Sequence, residues 1–257
     1  MYRTCAFYFF TEIYMSKVDI LAIGAHPDDV ELSCAGTLLS QIKLGYSVAL
    51  LDLTRGELGS RGSAELRTIE ARRAADILGI SARENVGLAD GFFEHNQASL
   101  MRIIPFIRKY RPEVIFANAL SDRHPDHGRA AKLTADACFL SGLIRVETTD
   151  EYGKPQEPWR PKNIFHYIQD VTLEPDFVID ISAFLETKMA AIMAYSSQFY
   201  NPDDADTNAP QTPISSKAFL ESITAKNAIW GRSIHAEYAE GFNVAKTLGV
   251  RDIFDLI

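Results

Sequence analysis

Cysteine is scarce in this chain: there are three in 257 residues, Cys5, Cys34 and Cys138, far apart and without a CxxC pair. That excludes a disulfide framework and fits a reducing compartment, so a cytoplasmic protein is expected. Long apolar runs are also missing, and none approaches the roughly 18 residues that a membrane-spanning helix needs. The continuous apolar stretch Ala6 to Phe10 is shorter than the roughly 7 to 15 residues of a signal-peptide core, and no small-residue cleavage site follows it. Positive charge is in deficit, with 26 Lys and Arg against 34 Asp and Glu and a net charge of -8. Nucleic acid and membrane surfaces are therefore not expected as partners, because both draw on clustered Lys and Arg. The chain also lacks internal repeats, low-complexity tracts and any interdomain linker.

What is present is an alternation of apolar runs and helical spacings. At 47% hydrophobic content the chain can bury one substantial core, and a single domain over residues 15–257 is expected. Residues 1–14, aromatic and irregular, read as an extension outside that domain, with Met15 as the natural start. Val18 to Gly24, Ser47 to Leu53, Glu84 to Ala89 and Glu113 to Asn118 read as buried strands. Between and after them, Glu31 to Leu44, Ala64 to Leu78, Ser99 to Tyr110 and Gly128 to Leu143 carry apolar residues at helical spacing. Such alternation implies an α/β fold with a mostly parallel sheet, right-handed crossovers and helices on both faces. The rhythm breaks at the proline-containing loop Thr148 to Lys162. Two more strands, Ile164 to Gln169 and Phe177 to Ile181, and helices Ala183 to Tyr195 and Ser216 to Trp230 follow. Asn201 to Pro213 reads as a mobile loop. The tail Tyr238-Ala239-Glu240-Gly241-Phe242 is expected to close the site or to stabilise an oligomer.

Two turns carry the chemistry. Ala25-His26-Pro27-Asp28-Asp29 follows the first strand, and His124-Pro125-Asp126-His127 follows the fourth. Both fall on the carboxyl edge of the sheet, where open α/β folds place their ligands. A catalytic divalent metal keeps about three protein ligands and an open position. His26, Asp29 and His127 supply such a set, two imidazoles and a carboxylate, leaving Asp28 beside the metal to take a proton from water. His124, protonated, would stabilise an oxyanion or protonate a leaving amine, with Asp126 orienting its ring. Either turn alone could be merely a helix cap, since Asp favours N-caps and Pro the first turn. The same ligand set also suits Fe(II), so ligand type does not settle the metal.

At these residues the chain resembles the LmbE-like (PIG-L) family of metal-dependent N-acetylglucosamine deacetylases, whose marks are the AHPDD and HPDH turns. The resemblance runs on through Asp52-Leu53-Thr54-Arg55-Gly56-Glu57-Leu58-Gly59-Ser60-Arg61-Gly62, Arg67, Glu70 and Ala71 to the tail motif. It is similar in particular to the bacillithiol-biosynthesis branch, which hydrolyses N-acetylglucosaminyl malate. The resemblance implies zinc on His26, Asp29 and His127, Asp28 as general base, and His124 backed by Asp126 as electrophilic or acid partner. It also implies a Rossmann-like fold and homo-oligomers, often hexamers. Two other readings stay open: deacetylation of a different small amide, and a non-catalytic sugar- or nucleotide-binding module. Against the module stands the absence of a Gly-x-Gly-x-x-Gly turn.

Arg67 is expected to hold a substrate carboxylate bidentately. Arg55 and Arg61 could join it or be solvated loop charges. Tyr200 flanks a possible lid and is a further substrate candidate, while Tyr195 could equally be packing. His166 reads as structural, His95 as a loop residue, and His235 as lining the pocket or a subunit contact. Cys34 and Cys138 read as core.

Overall fold

The chain folds around one seven-stranded sheet in a computed structural model that describes residues 17–200 and 210–256. The expected extension 1–14, and residues 201–209 of the expected loop, lie outside the described residues. In chain order the elements are β1 (Ile20–Gly24), α1 (Asp29–Lys43), β2 (Val48–Asp52), α2 (Ala64–Leu78), β3 (Ala82–Asn85), α3 (Gln97–Tyr110) and β4 (Val114–Ala117). They continue with α4 (Pro125–Ser141), β5 (Asn163–Tyr167), β6 (Phe177–Asp180), α5 (Leu185–Met193), α6 (Lys217–Ser233) and β7 (Ala239–Val244).

The strand order is β3-β2-β1-β4-β5-β7-β6. From β3 to β5 all pairings are parallel, while β7 runs antiparallel to both β5 and β6. Every residue of β1 and β2 is buried, which is why both read as continuous apolar runs. Their side chains nonetheless alternate. Leu21 and Ile23 pack with Ile103, Ile104 and Ile107 of α3 and Leu133 of α4, whereas Ile20 and Ala22 pack with Val30, Cys34 and Leu38 of α1. Helices thus cover both faces, as the sequence pattern implies. The winding reverses between β1 and β4, opening a crevice at their carboxyl ends. Both metal-type turns leave the sheet there.

Several boundaries differ from the sequence expectation by a few residues. Helix α1 begins at Asp29 rather than Glu31. Helix α4 begins at Pro125 rather than Gly128, because proline at the first helical position loses no hydrogen bond. Strand β3 spans Ala82–Asn85 rather than Glu84 to Ala89. It is an edge strand, and the left-handed turn at Gly87 (φ 70°) ends it, although Val86 and Leu88 still reach the core. The tail forms β7 inside the sheet, so of the two roles expected for it, closing the site is not what the structure shows. Phe242 is fully buried, stacked on Phe177 at 5.2 Å and 5.1 Å from Phe116. The loop Thr148 to Lys162 is irregular, as expected, and tied down by Trp159 Nε1 donating to the Pro112 carbonyl at 2.7 Å.

Candidate metal and active site

The two turns are stitched to each other before any ligand is considered. The Ala25 amide donates to Asn118 Oδ1 at 2.9 Å, and Asn118 Nδ2 donates to Asp29 Oδ2 at 2.9 Å. Asp28 occupies the N-cap position of α1 without a side-chain capping bond, at φ 113° and ψ -23°, a left-handed conformation for a residue with a side chain. Such backbone costs on the order of 1–3 kcal/mol and persists where the surroundings impose it. It aims the Asp28 carboxylate into the crevice while Asp29 begins the helix.

Three imidazoles converge beside this turn. His26, His124 and His127 each bring a ring nitrogen within 4.8 Å of the other two. Asp29 lies between two of them, with Oδ1 3.1 Å from His127 Nε2 and Oδ2 3.7 Å from His26 Nδ1. The opposite nitrogen of each ring is held by a second carboxylate. His127 Nδ1 meets Asp122 at 2.6 Å, and His26 Nε2 meets Asp90 at 3.0 Å and Asp126 at 3.4 Å. Carboxylates behind metal-ligating histidines fix the tautomer and ring direction in this way. Gln169 Nε2 completes the support of Asp29 Oδ1 at 3.0 Å. The donor set fits a divalent cation.

The electrostatics point the same way. Burial opposes charge on His26, yet hydrogen bonds to Asp126 and Asp90 and the charge of Asp29 raise its pKa to about 10. Burial likewise opposes charge on His127, and Asp29 with Asp122 raises it to about 9. Asp29, which burial alone would raise, is held well below the usual range by His127 and His26. Carboxylates therefore outnumber fixed cations here, and the crevice calls for positive charge. Asp28 behaves oppositely to its neighbour: burial pushes it up to about 7, against the pull of Arg67. Its Oδ2 accepts from Arg67 Nη2 at 2.5 Å.

His124 sits at the N-cap of α4, and its Nδ1 accepts from the Asp126 amide at 3.3 Å. The ring proton of the neutral form then belongs on Nε2, by assignment from this hydrogen bond. Burial and the charges of His26 and His127 lower the His124 pKa, so the protonated form expected from sequence is disfavoured. A neutral Nε2–H remains a competent donor.

Several expectations change. The Asp126 carboxylate does not orient His124: it faces His26 and also accepts from the Gly91 amide at 2.8 Å and Arg129 Nη1 at 2.7 Å. Arg67 lines the crevice, but its guanidinium holds Asp28 and the Pro27 carbonyl. The conformation of Gly56 (φ 64°) leaves room for that guanidinium, into which any side chain there would run. Arg61 donates through Nε to the Ser197 carbonyl at 2.9 Å, joining its loop to the segment after α5. Arg55 is exposed, and Tyr200 is 37% exposed; neither they nor Arg61 line the crevice. Tyr195 is buried packing, its hydroxyl donating to Glu31 at 3.0 Å. His166 bonds the Asn118 carbonyl at 2.8 Å, His95 pairs with Asp136 at 2.8 Å, and His235 lies off the crevice.

Sequence reasoning missed Asp90, Asn118, Asp122 and Gln169. All four lie just beyond the carboxyl ends of β3, β4 and β5, and that position is the signal that could have found them. Asp90 is also the reason for the Gly-Glu-Leu-Gly segment, since its Oδ2 accepts from the Leu58 amide at 2.9 Å and its own amide donates to Glu57 at 3.1 Å.

The crevice opens into a cavity of about 600 Å³. A doubly wound sheet with imidazoles, paired carboxylates and a substrate-sized cavity at its switch point is an architecture suited to enzymes that activate water on a metal. Within that class, the chain belongs to the PIG-L (GlcNAc-PI de-N-acetylase) family, whose model matches residues 21–138 and so spans both turns. A diacetylchitobiose deacetylase of Thermococcus kodakarensis is 28% identical, covering 72% of this chain and 71% of its own length. An uncharacterized deacetylase of Escherichia coli is 31% identical over 50% of this chain and 73% of its own length. Among solved structures, a conserved protein of Thermus thermophilus superposes with a TM-score of 0.79 at 35% identity, covering 91% of this chain and 98% of that one. The protein is thus an enzyme, a hydrolase of the deacetylase type.

Proposed function

We propose that the protein is a zinc-dependent hydrolase that removes the N-acetyl group from an N-acetylglucosamine conjugate, N-acetylglucosaminyl malate in the first instance. The observation that carries this reading is the division between adjacent aspartates. Asp29 lies between His26 and His127, while Asp28 stands apart on Arg67 with its pKa near 7. His26, Asp29 and His127 are the proposed ligands, with Fe(II) as the alternative metal that the same donors suit. A divalent cation bound there supplies Lewis acidity at the acetamide carbonyl and acidifies a water.

The remaining steps belong to the chain's own side chains. Asp28 takes the proton of the attacking water, and Arg67 holds its carboxylate in place. His124 Nε2–H donates to the oxyanion that forms as water adds to the carbonyl. Collapse of the tetrahedral intermediate breaks the C–N bond, and the proton held by Asp28 passes to the sugar nitrogen. Acetate and a free amine result.

The malate conjugate is supported by the Gly-Glu-Leu-Gly-x-Arg-Gly segment and by a relative named as a probable N-acetyl-α-D-glucosaminyl L-malate deacetylase of Bacillus anthracis. The second reading, a neutral sugar such as diacetylchitobiose, is favoured by the Thermococcus relative. A cytoplasmic location and homo-oligomers up to hexamers belong to the same proposal. They are supported by free, buried Cys34 and Cys138 and by the exposed apolar Phe139 and Ile144.

The test is amine release, followed by fluorescent derivatisation, from N-acetylglucosaminyl malate, diacetylchitobiose and methyl N-acetylglucosaminide, with Zn- and Fe-loaded protein. Zinc-dependent release, greatest from the malate conjugate, is expected. No release from any of the three would overturn the reading.

A further inference from the structure

The cations lining the cavity are not equivalent. Arg67 is committed to Asp28 at 2.5 Å, and Arg123 to Asp170 at 2.6 Å. Lys226 of α6 lines the same cavity, partly buried, and has no carboxylate within ion-pair distance among the described residues. It donates to the Gln169 carbonyl and lies 5.7 Å from the Trp230 ring. An ammonium has three donors, and one carbonyl satisfies one of them. Burying a charge without a counter-ion is costly, and an anion bound beside the charge removes part of that cost.

Its placement narrows where that anion would come from. Phe219, Ser222, Ile223 and Lys226 follow one another at helical spacing, and all four face the cavity. The residue that Lys226 holds by its carbonyl, Gln169, reaches Asp29 with its side chain at 3.0 Å. The ammonium is therefore one residue removed from the proposed metal ligands. Burial and the charge of Lys188 lower the Lys226 pKa to about 8 even though Asp170 and Asp122 act to raise it. That is the signature of a cation whose compensation is incomplete.

We propose that Lys226 is the anion-recognising residue of the cavity, and that the substrate carries an acidic group, carboxylate or phosphate, beside its N-acetylated sugar. Arg67, the residue expected to do this from sequence, is already spent on Asp28. The inference rests on the proposed placement of an amino sugar in the cavity, and it separates the acidic from the neutral substrates considered above.

Binding of deacetylated ligands tests it without turnover. Metal-loaded wild-type protein and Lys226→Met are titrated calorimetrically with glucosaminyl malate, glucosamine 1-phosphate and methyl glucosaminide. Wild type is expected to bind an acid-bearing ligand at least about tenfold more tightly than the methyl glycoside, a typical gain for a charge-assisted hydrogen bond. The tighter of the two acids identifies the source of the anion. In Lys226→Met the preference falls to within about twofold while methyl glucosaminide affinity holds, and Lys226→Arg retains part of the preference. Equal binding of all three by wild type, or equal weakening of all three in Lys226→Met, overturns the proposal. The second result would make Lys226 a strut between α6 and Gln169. A Lys226-dependent preference in a protein that deacetylates nothing would leave this inference standing and sink the proposed function.

Discussion

Beneath β7 the Lys188 ammonium and the Glu240 carboxylate, neither with exposed surface, sit 2.6 Å apart. The Gly36 and Thr37 amides of α1 donate to the same carboxylate at 3.0 and 2.7 Å. At the ends of β1 and β4, by contrast, Asp29, Asp90, Asp122 and Asp126 are met by two imidazoles, His26 and His127, and by the Arg129 guanidinium on Asp126, three cations for four carboxylates. Both regions bury charge, but only the first closes its own circuit. A pair that is mutually neutral and hydrogen-bonded needs nothing more and serves to seat α1 on the sheet. A cluster with excess negative charge holds open a role for a cation. The comparison teaches that burial of charge marks function only where the partners inside the protein do not balance it.

Asp28→Asn should break the comparison most sharply. Removing a general base costs about 10²- to 10⁴-fold in turnover. Steady-state kinetics with metal analysis should show that loss with metal content retained; loss of metal would instead make Asp28 a ligand. Because burial raises Asp28 to about 7, its proton-accepting form is present above that pH and disappears below it. Wild-type kcat/KM is therefore expected to fall as pH drops through this region, reporting Asp28 in the free enzyme.

Next comes Glu240→Gln, which strands the buried Lys188 charge. Breaking such a pair costs about 3–5 kcal/mol, to be read from urea unfolding, with kcat of the folded enzyme little changed. The sharper form is Lys188→Met with Glu240→Met, which should recover most of that loss because a matched apolar pair needs no counter-charge. A double variant as unstable as the single one would show that the pair does more than neutralise itself.

The smallest of the three effects belongs to Asp122→Ala. Loss of the carboxylate behind a ligating histidine weakens metal binding about 10- to 100-fold, measurable by competition with a chelator. Unchanged affinity would remove His127 from the proposed ligand set.

Much of this was legible beforehand because it is local. Glycine at 45 and 79 ends the first two helices, and the apolar runs before His26 and His124 place both turns on one edge of the sheet. The different tasks proposed for Asp28 and Asp29 likewise start from their adjacency at a helix start. The place of the tail is not legible locally, since β7 pairs with strands roughly 60 to 80 residues earlier, and its Glu240, polar in sequence, is buried by a partner on α5. Arg67 lines the cavity as expected, but an arginine after an active-site loop carries no mark in sequence of Asp28 as its partner.

The sequence by itself determined the strand–helix alternation, the two turns and the residue types at the carboxyl ends of β1 and β4, since periodicity and capping act within a few residues. Only the tertiary structure decided which carboxylate serves which ring and which cavity-lining cation has no carboxylate partner among the described residues. Asp90 reaches His26 across 64 positions, and Lys226 reaches Gln169 across 57. Contacts over such separations depend on how crossovers stack around the sheet, which no local pattern encodes.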